Sequence, residues 1–270
     1  MLKIIEDFRN RFSIRLFLRK TYSLILYYGS FRWISNIRNL NRLKDSCSGK
    51  RMFIVCNGPS LRPEDLTKLH EKGELSFVSN SIDSIFSKTE WRPTFYAIFD
   101  ELAQYTFLDR MNRIPSKWQF YRKNSYKTTR KTVHPAVFIT TDGSKKLLDA
   151  PKFSPDCRKD IYTIGTVTYS MIQLSVFLGC KELYIIGCDN RYPVQRTRDG
   201  QIVYTDGKAY FEGDDAHGDG RAAVSVWQMD VAYEAARKYA DAHGIKIYNA
   251  TRGGCLEAFP RVDFDSLFEN

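Results

Sequence analysis

From Arg51 onward, apolar residues come in short runs, most of which end at Gly, Asn or Asp, and stretches of helical spacing lie between them. This repeated strand, turn, helix order predicts βαβ units, hence an α/β fold with a mostly parallel sheet and helices on both faces. Strands are expected at Met52–Cys56, Leu75–Ser79, Thr94–Phe99, Ala136–Thr140, Glu182–Gly187 and Lys246–Tyr248. Met171, Leu174 and Phe177 predict a helix over Tyr169–Leu178 that stops at Gly179, because glycine accepts the left-handed conformation that ends helices. Val224, Trp227, Val231 and Ala235 recur at spacings of three and four, predicting a long helix ending near Gly244. The charged, aromatic stretches 105–135 and 190–222 lack either period. Connections of that length in a compact domain serve as lids or substrate loops, so 190–222 is expected to be a lid.

Residues 1–50 differ from the rest. Arg11, Arg15 and Arg19 fall on one helical stripe and Phe8, Phe12 and Leu16 on another, and the stripes adjoin instead of opposing each other. Two readings follow: a segment, residues 1–45, lying on an anionic membrane surface, or a helix packed on the body with a solvated basic face. The division expected is a basic helical segment over 1–50 and a catalytic domain over 51–270.

Charge sharpens this division. The net charge of +10 suggests a nucleic-acid binder until it is located. Residues 1–51 carry 12 Lys and Arg against 3 Asp and Glu, which leaves a nearly neutral body. Nucleic acid is therefore not an expected partner. At 270 residues, 43% of them hydrophobic, the chain has ample material for one core. Six cysteines without a Cys-x-x-Cys pair suit a reducing cytoplasm, so the Asn249-Ala250-Thr251 sequon is read as chance. No secretory leader pattern is expected at the start, and the uncharged run Thr21–Phe31 falls short of the ~20 residues of a spanning helix. The expected location is cytoplasmic, peripheral on the inner face of a membrane if the first segment binds one.

Five of the six expected strands run into Asn or Asp: Asn57, Asn80, Asp100, Asp189 and Asn249. The carboxyl ends of parallel strands share one edge of the sheet, where ligands bind, so these side chains should converge. Turns and helix caps after strands also favour these residues, which is the structural alternative. Asn57-Gly58-Pro59-Ser60 reads as a ligand loop, with Gly58 allowing close approach to a phosphate or ribose and Ser60 capping the following helix. It is neither the Gly-x-Gly-x-x-Gly fingerprint nor a Walker loop. Among four histidines, His217 sits in a carboxylate-rich loop and is the candidate general base, with a solvated acidic loop as the alternative. Asp214, Asp215, His217 and Asp219 match no defensible ligand set, and Asp263-Phe264-Asp265 reads as a helix cap, so no metal site is expected.

The run Ile54 to Leu61, the helix start Thr166-Val167-Thr168 and the run Leu178 to Asp189 resemble the bacterial lipooligosaccharide sialyltransferase family. They also resemble its relatives, the 6-hydroxymethylpterin diphosphokinase-like proteins of surface-polysaccharide loci, which the tail Ile247 to Gly254 fits better. The resemblance covers about residues 50–268 and implies a Rossmann-like variant of the glycosyltransferase A fold. It implies an inverting, metal-independent transfer of a sugar, typically a nonulosonic acid from a CMP-linked donor, to a glycan or lipid-linked glycan acceptor, with no separate cofactor. On that resemblance, Asn57 meets the donor phosphate, Asn80 and Asp100 hold ribose and base, and Thr166 and Thr168 contact the donor. Tyr192 and Tyr204 stabilise the departing phosphate, and His217 is the base. Two other functions stay open: a pyrophosphokinase-like enzyme using ATP and a pterin, and a non-catalytic membrane-surface binding protein.

Overall fold

The computed structural model describes residues 2–100, 103–104, 108–211 and 223–269, with side chains from Ile14 onward. In chain order the helices are α1 (Leu2–Gly29), α2 (Arg32–Leu43), α3 (Pro63–Glu71), α4 (Leu108–Met111), α5 (Tyr126–Thr129), α6 (Val167–Phe177) and α7 (Val226–Ala242). The strands are β1 (Arg51–Val55), β2 (Leu75–Ser79), β3 (Phe95–Ile98), β4 (Trp118–Arg122), β5 (Ala136–Ile139), β6 (Thr141–Asp142), β7 (Ile161–Tyr162), β8 (Glu182–Ile186), β9 (Val194–Arg196), β10 (Ile202–Tyr204) and β11 (Lys246–Asn249).

Seven strands form one parallel sheet in the order β11-β8-β1-β2-β3-β4-β5. Alternation along each strand feeds two cores. Met52, Ile54, Phe77 and Ile185 face α6 and α7, while Phe53, Val55, Val78 and Ile186 face α3 and the end of α1. Both faces are covered, which makes the strands read as near-continuous apolar runs. This is the expected Rossmann-like α/β architecture. The chain winds outward from β1 through β5, then returns to place β8 on the other side of β1. The direction of winding therefore reverses between β1 and β8, and the crevice at their carboxyl ends is where such sheets bind ligands.

All six expected strands form, but the stretch expected to be irregular over 105–135 contains a seventh, β4, between β3 and β5. Its polar centre hid it. Gln119 is fully buried, donating to the carbonyls of Met111 and Ile114 and accepting from Tyr121 and Thr132. A buried amide satisfied from other segments carries no strand signal in a one-dimensional pattern. In α7 the buried stripe is Met229, Ala232, Tyr233, Ala236 and Ala240, one face round from the expected one.

The N-terminal segment packs on the body. Ser23 Oγ accepts the Lys127 amide at 2.7 Å, Arg19 donates to Thr128 at 2.7 Å, and Tyr27 is buried against Tyr126 and Phe138. Asn36 of α2 exchanges two hydrogen bonds with the backbone of Phe138, at 2.8 and 2.7 Å, and so covers the open edge of β5. The outward side of α1 is apolar, with Ile14, Phe17, Leu18, Ile25 and Tyr28 falling within one face; Phe17 is 68% exposed and Ile25 62%. Trp33, Ile34 and Ile37 of α2 extend the exposed surface. The packed-helix reading is thus right about docking, but the face turned to solvent is greasy as well as basic. No helix among the described residues is long and apolar enough to cross a membrane.

Candidate active site

A cavity of about 220 Å³ lies at the β1/β8 reversal. Asn57, Gly58, Asn80, Asp100, Thr166, Thr168, Asp189 and Tyr192 of the expected site all line it. A second cavity of about 430 Å³ shares Asp100, Gly165, Thr166 and Val167 with the first and extends past the ends of β3 and β4 to Arg122. Sharing this wall, the two cavities lie side by side as a trough along the carboxyl edge of the sheet, lined by polar and apolar residues alike.

The loop after β1 is fastened to the loop after β8. Asp189 Oδ2 accepts from Ser60 Oγ at 2.8 Å and from Ser60 N at 3.1 Å, and Gly58 N donates to Gly187 O at 2.8 Å. Ser60 therefore does not cap α3, which starts at Pro63 after Arg62 with Glu64 and Asp65 in its first turn. A Cβ at Gly58 would stand 2.2 Å from Asp189 Oδ2 and 2.5 Å from Gly187 O. The neighbouring loop of the protein is by itself enough to demand glycine here.

Asn57, 9% exposed, donates Nδ2 to Ser79 O at 3.2 Å and leaves Oδ1 buried without a partner. Turning the amide over would press its oxygen against that carbonyl, so the spare atom is an acceptor. Asn190 repeats the arrangement, with Nδ2 donating to Asp230 Oδ1 at 2.9 Å and Oδ1 orphaned. Its φ of 52°, like the 55° of Asn80, is the left-handed conformation that Asn tolerates better than most residues. Unpaired buried acceptors call for ligand hydroxyl or amino groups, whereas a phosphate calls for donors. Asn57 thus turns an acceptor, its Oδ1, toward the cavity it lines.

Thr166 caps α6, its Oγ1 accepting from Thr168 N at 3.2 Å, and Thr168 Oγ1 lies 3.4 Å from Cys56 Sγ. The start of α6 thus lies at the wall shared by the two cavities, a setting that favours an anion. Burial, aided by Cys188 and Tyr210 nearby, pushes the Tyr192 phenol well above its ordinary pKa, so it stays a neutral donor. All six cysteines are free, and Cys188 Sγ sits 3.3 Å from the Tyr233 hydroxyl beneath the cavity floor.

Among the described residues of the expected site, Ser60, Asn249 and Tyr204 do not line the cavity. Asn249 is fully buried, its Nδ2 donating to Leu256 O at 2.7 Å and its Oδ1 accepting from Thr251 N at 3.0 Å; it braces the turn after β11 and does not line the trough. Tyr204 sits on the β9–β10 hairpin, 79% exposed and away from the cavity, where Tyr210 takes the place of a second tyrosine. His217, with Asp214, Asp215 and Asp219, lies outside the described residues. Asp263 accepts Ser266 N at 2.9 Å at the start of the last helical turn, and Asp265 pairs with Arg252. Arg122, Asn190 and Tyr210 were not expected; Arg122 ends the strand whose pattern was hidden.

Fold and trough define an open, parallel, Rossmann-like α/β protein with its candidate site at the switch point of the sheet. The chain belongs to the 6-hydroxymethylpterin diphosphokinase MptE-like family, whose model matches residues 30–195. Among curated proteins it is similar to glutamate–tRNA ligase of Clostridium beijerinckii, 27% identical over 135 residues, which is 47% of this chain and 24% of that protein. Among solved structures it is similar to the MAf glycosyltransferase from Magnetospirillum magneticum AMB-1, with a TM-score of 0.53 and 13% identity, over 83% of this chain and 35% of that one. The chain thus spans well under half the length of either, and the structural likeness bears on fold alone.

Proposed function

We propose that this protein is an inverting, metal-independent glycosyltransferase that moves a nonulosonic acid from a CMP-linked donor to a bacterial surface-glycan acceptor. The observation that carries this reading is the convergence of Asn57, Asn80, Asp100, Asp189, Thr166 and Tyr192 on one trough at the switch point. The fold shared with a glycosyltransferase supports it. In the proposed reaction an acceptor hydroxyl attacks the anomeric carbon as the bond from that carbon to the phosphate oxygen breaks. His217 takes the hydroxyl proton, CMP leaves with the bonding electrons, and the Tyr192 hydroxyl donates to the departing phosphate.

The experiment is a thermal-shift panel of CMP, CDP, UDP, GDP and ATP, since a ligand at a hundred times its Kd stabilises a fold by about 2.7 kcal/mol. Stabilisation by CMP above the others is expected, and the donor-bound His217→Ala variant should retain nucleotide while losing transfer. A preference for ATP would overturn the proposal in favour of the diphosphokinase that the family's description names.

The acceptor is proposed to be lipid-linked and met at the cytoplasmic face of a membrane. The outward apolar side of α1 and α2 is bordered by exposed Arg15, Arg32, Arg38 and Arg42. Apolar side chains beside cations suit an anionic lipid interface. A second copy of the chain would bring like charges together, which disfavours self-association through this surface.

A further inference from the structure

Buried polar atoms in folded proteins are almost always hydrogen-bonded, so a buried acceptor in a cavity wall that no part of the chain satisfies points to a ligand. Among the described residues, the buried side-chain amide oxygens without a partner belong to Asn57, Asn124 and Asn190. Asn124 borders a gap of about 10 Å³, no larger than one water. Asn57 and Asn190 both line the first cavity, of about 220 Å³. Chemistry fixes which way the Asn190 amide is turned. Its Nδ2 donates to Asp230 Oδ1 at 2.9 Å, and a carboxylate only accepts, so the reversed amide would set oxygen against oxygen. Asp230 stands on α7 and does not line the cavity, so the pair keeps the nitrogen on that side and leaves the oxygen for the cavity. Asn190 itself is 8% exposed, so its oxygen has little water to fall back on.

We infer that Asn190 is a specificity residue of this cavity, its Oδ1 accepting a hydrogen bond from a hydroxyl or amino donor of a bound nucleoside, with Asp230 as the positioning residue that keeps the oxygen presented. The inference rests on the reading of the trough as a nucleotide site and adds which atom of the protein inspects the nucleoside. A ligand that carries the donor completes an acceptor already stripped of water. A ligand with a carbon or a carbonyl oxygen in that place leaves the acceptor open, and this penalty is what discriminates. One nucleoside carries two sources of such a donor, the ribose hydroxyls and the amino group of the base.

The test is calorimetric titration of the full chain, as wild type, Asn190→Gly and Asp230→Ala, with CMP, 2′-deoxy-CMP, 3′-deoxy-CMP and UMP. Glycine replaces Asn190 because it accepts the φ of 52° without strain. Wild type should bind CMP about tenfold or more tightly than one of the analogues, and which one names the source: a deoxy analogue the ribose hydroxyl, UMP the base amino group. In Asn190→Gly that preference should vanish, because CMP loses affinity and the analogue does not. Asp230→Ala frees the amide to turn over and should shrink the preference. An undiminished preference in Asn190→Gly overturns the inference. So does a wild type indifferent to all three changes, and so does an equal loss for every ligand, which would make Asn190 a structural support. Should Asn190→Gly fail to fold, Asp230→Ala decides, and an undiminished preference there is the refuting result. If wild type binds ATP in place of CMP, the proposed transfer falls, while the same variants test this inference with ATP, its 2′- and 3′-deoxy analogues and ITP. Wild type that binds no nucleotide removes both.

Discussion

The Asp189 carboxylate holds Ser60 by two hydrogen bonds, 2.8 Å from its hydroxyl and 3.1 Å from its amide, and thereby locks the loop after β1 to the loop after β8. The two loops bracket the switch point, so the lock sets the shape of the first cavity. Asp189→Ala strands the Ser60 donors and should destabilise the fold by about 2 kcal/mol or more, with a matching loss of nucleotide affinity. Denaturant unfolding and ligand titration on the same preparation check both.

Gly58→Ala probes the same lock sterically. Its Cβ has to displace a carboxylate oxygen and a backbone carbonyl at once, so a cost of about 1–3 kcal/mol is expected. Combined with Asp189→Ala, which removes one of the two obstacles, the loss should be less than additive in denaturant midpoints.

The two tyrosines chosen from sequence should part company. Tyr192→Phe removes a neutral donor from the cavity and should lower the transfer rate on the order of 100-fold. Tyr204→Phe, on an exposed hairpin, should leave it unchanged, and equal losses in the two variants would remove the role given to Tyr192.

Alkali should unfold this protein sharply. Burial raises the phenols of Tyr96, Tyr192 and Tyr233 well above the ordinary 10.0 in the folded state. Above that pH the unfolded chain releases these protons and the folded one keeps them, so the stability they carry is present below about pH 10 and lost as pH rises beyond it. The thermal midpoint measured from pH 8 to 11.5 should be flat at first and then fall steeply; a gentle decline starting near pH 8 would assign the loss to other groups.

The outward side of α1 gives a vesicle prediction. Phe17→Glu with Ile25→Glu should weaken binding to phosphatidylglycerol-containing vesicles on the order of 100-fold, from the apolar burial forfeited. Soluble-acceptor turnover should persist, because neither residue is near the trough. Equal affinity for phosphatidylcholine vesicles would refute the part assigned to the arginines.

Much of the edge that carries the candidate site was legible along the chain. Parallel buried strands announce themselves as apolar runs, and whatever follows a run must lie at the carboxyl edge, which put Asn57, Asn80, Asp100 and Asp189 together before any contact was known. The same logic misplaced Asn249, because a strand end fixes where a residue lies but not which way its side chain turns; here it turned inward to satisfy Leu256 and Thr251. Arg122 stayed hidden because its strand is built around Gln119, whose burial is tolerable only once Met111, Ile114 and Thr132 surround it.

By itself, then, the sequence determined six of the seven strands of the sheet, the edge that carries the candidate site and the concentration of positive charge in the first 51 residues, since all three follow from local periodicity and composition. Only the tertiary structure decided that Asp189 clamps Ser60, that Asn57 and Asn190 offer their oxygens, and that α1 docks through Arg19, Ser23 and Tyr27 while an apolar side faces out. Those outcomes depend on which partners reach a polar atom first, and the partners come from segments far apart in the chain: Ser79 for Asn57, Asp230 for Asn190, Thr128 for Arg19. The loop that opens at Asn57 is shaped by a residue well over a hundred positions away, and only the fold brings the two together.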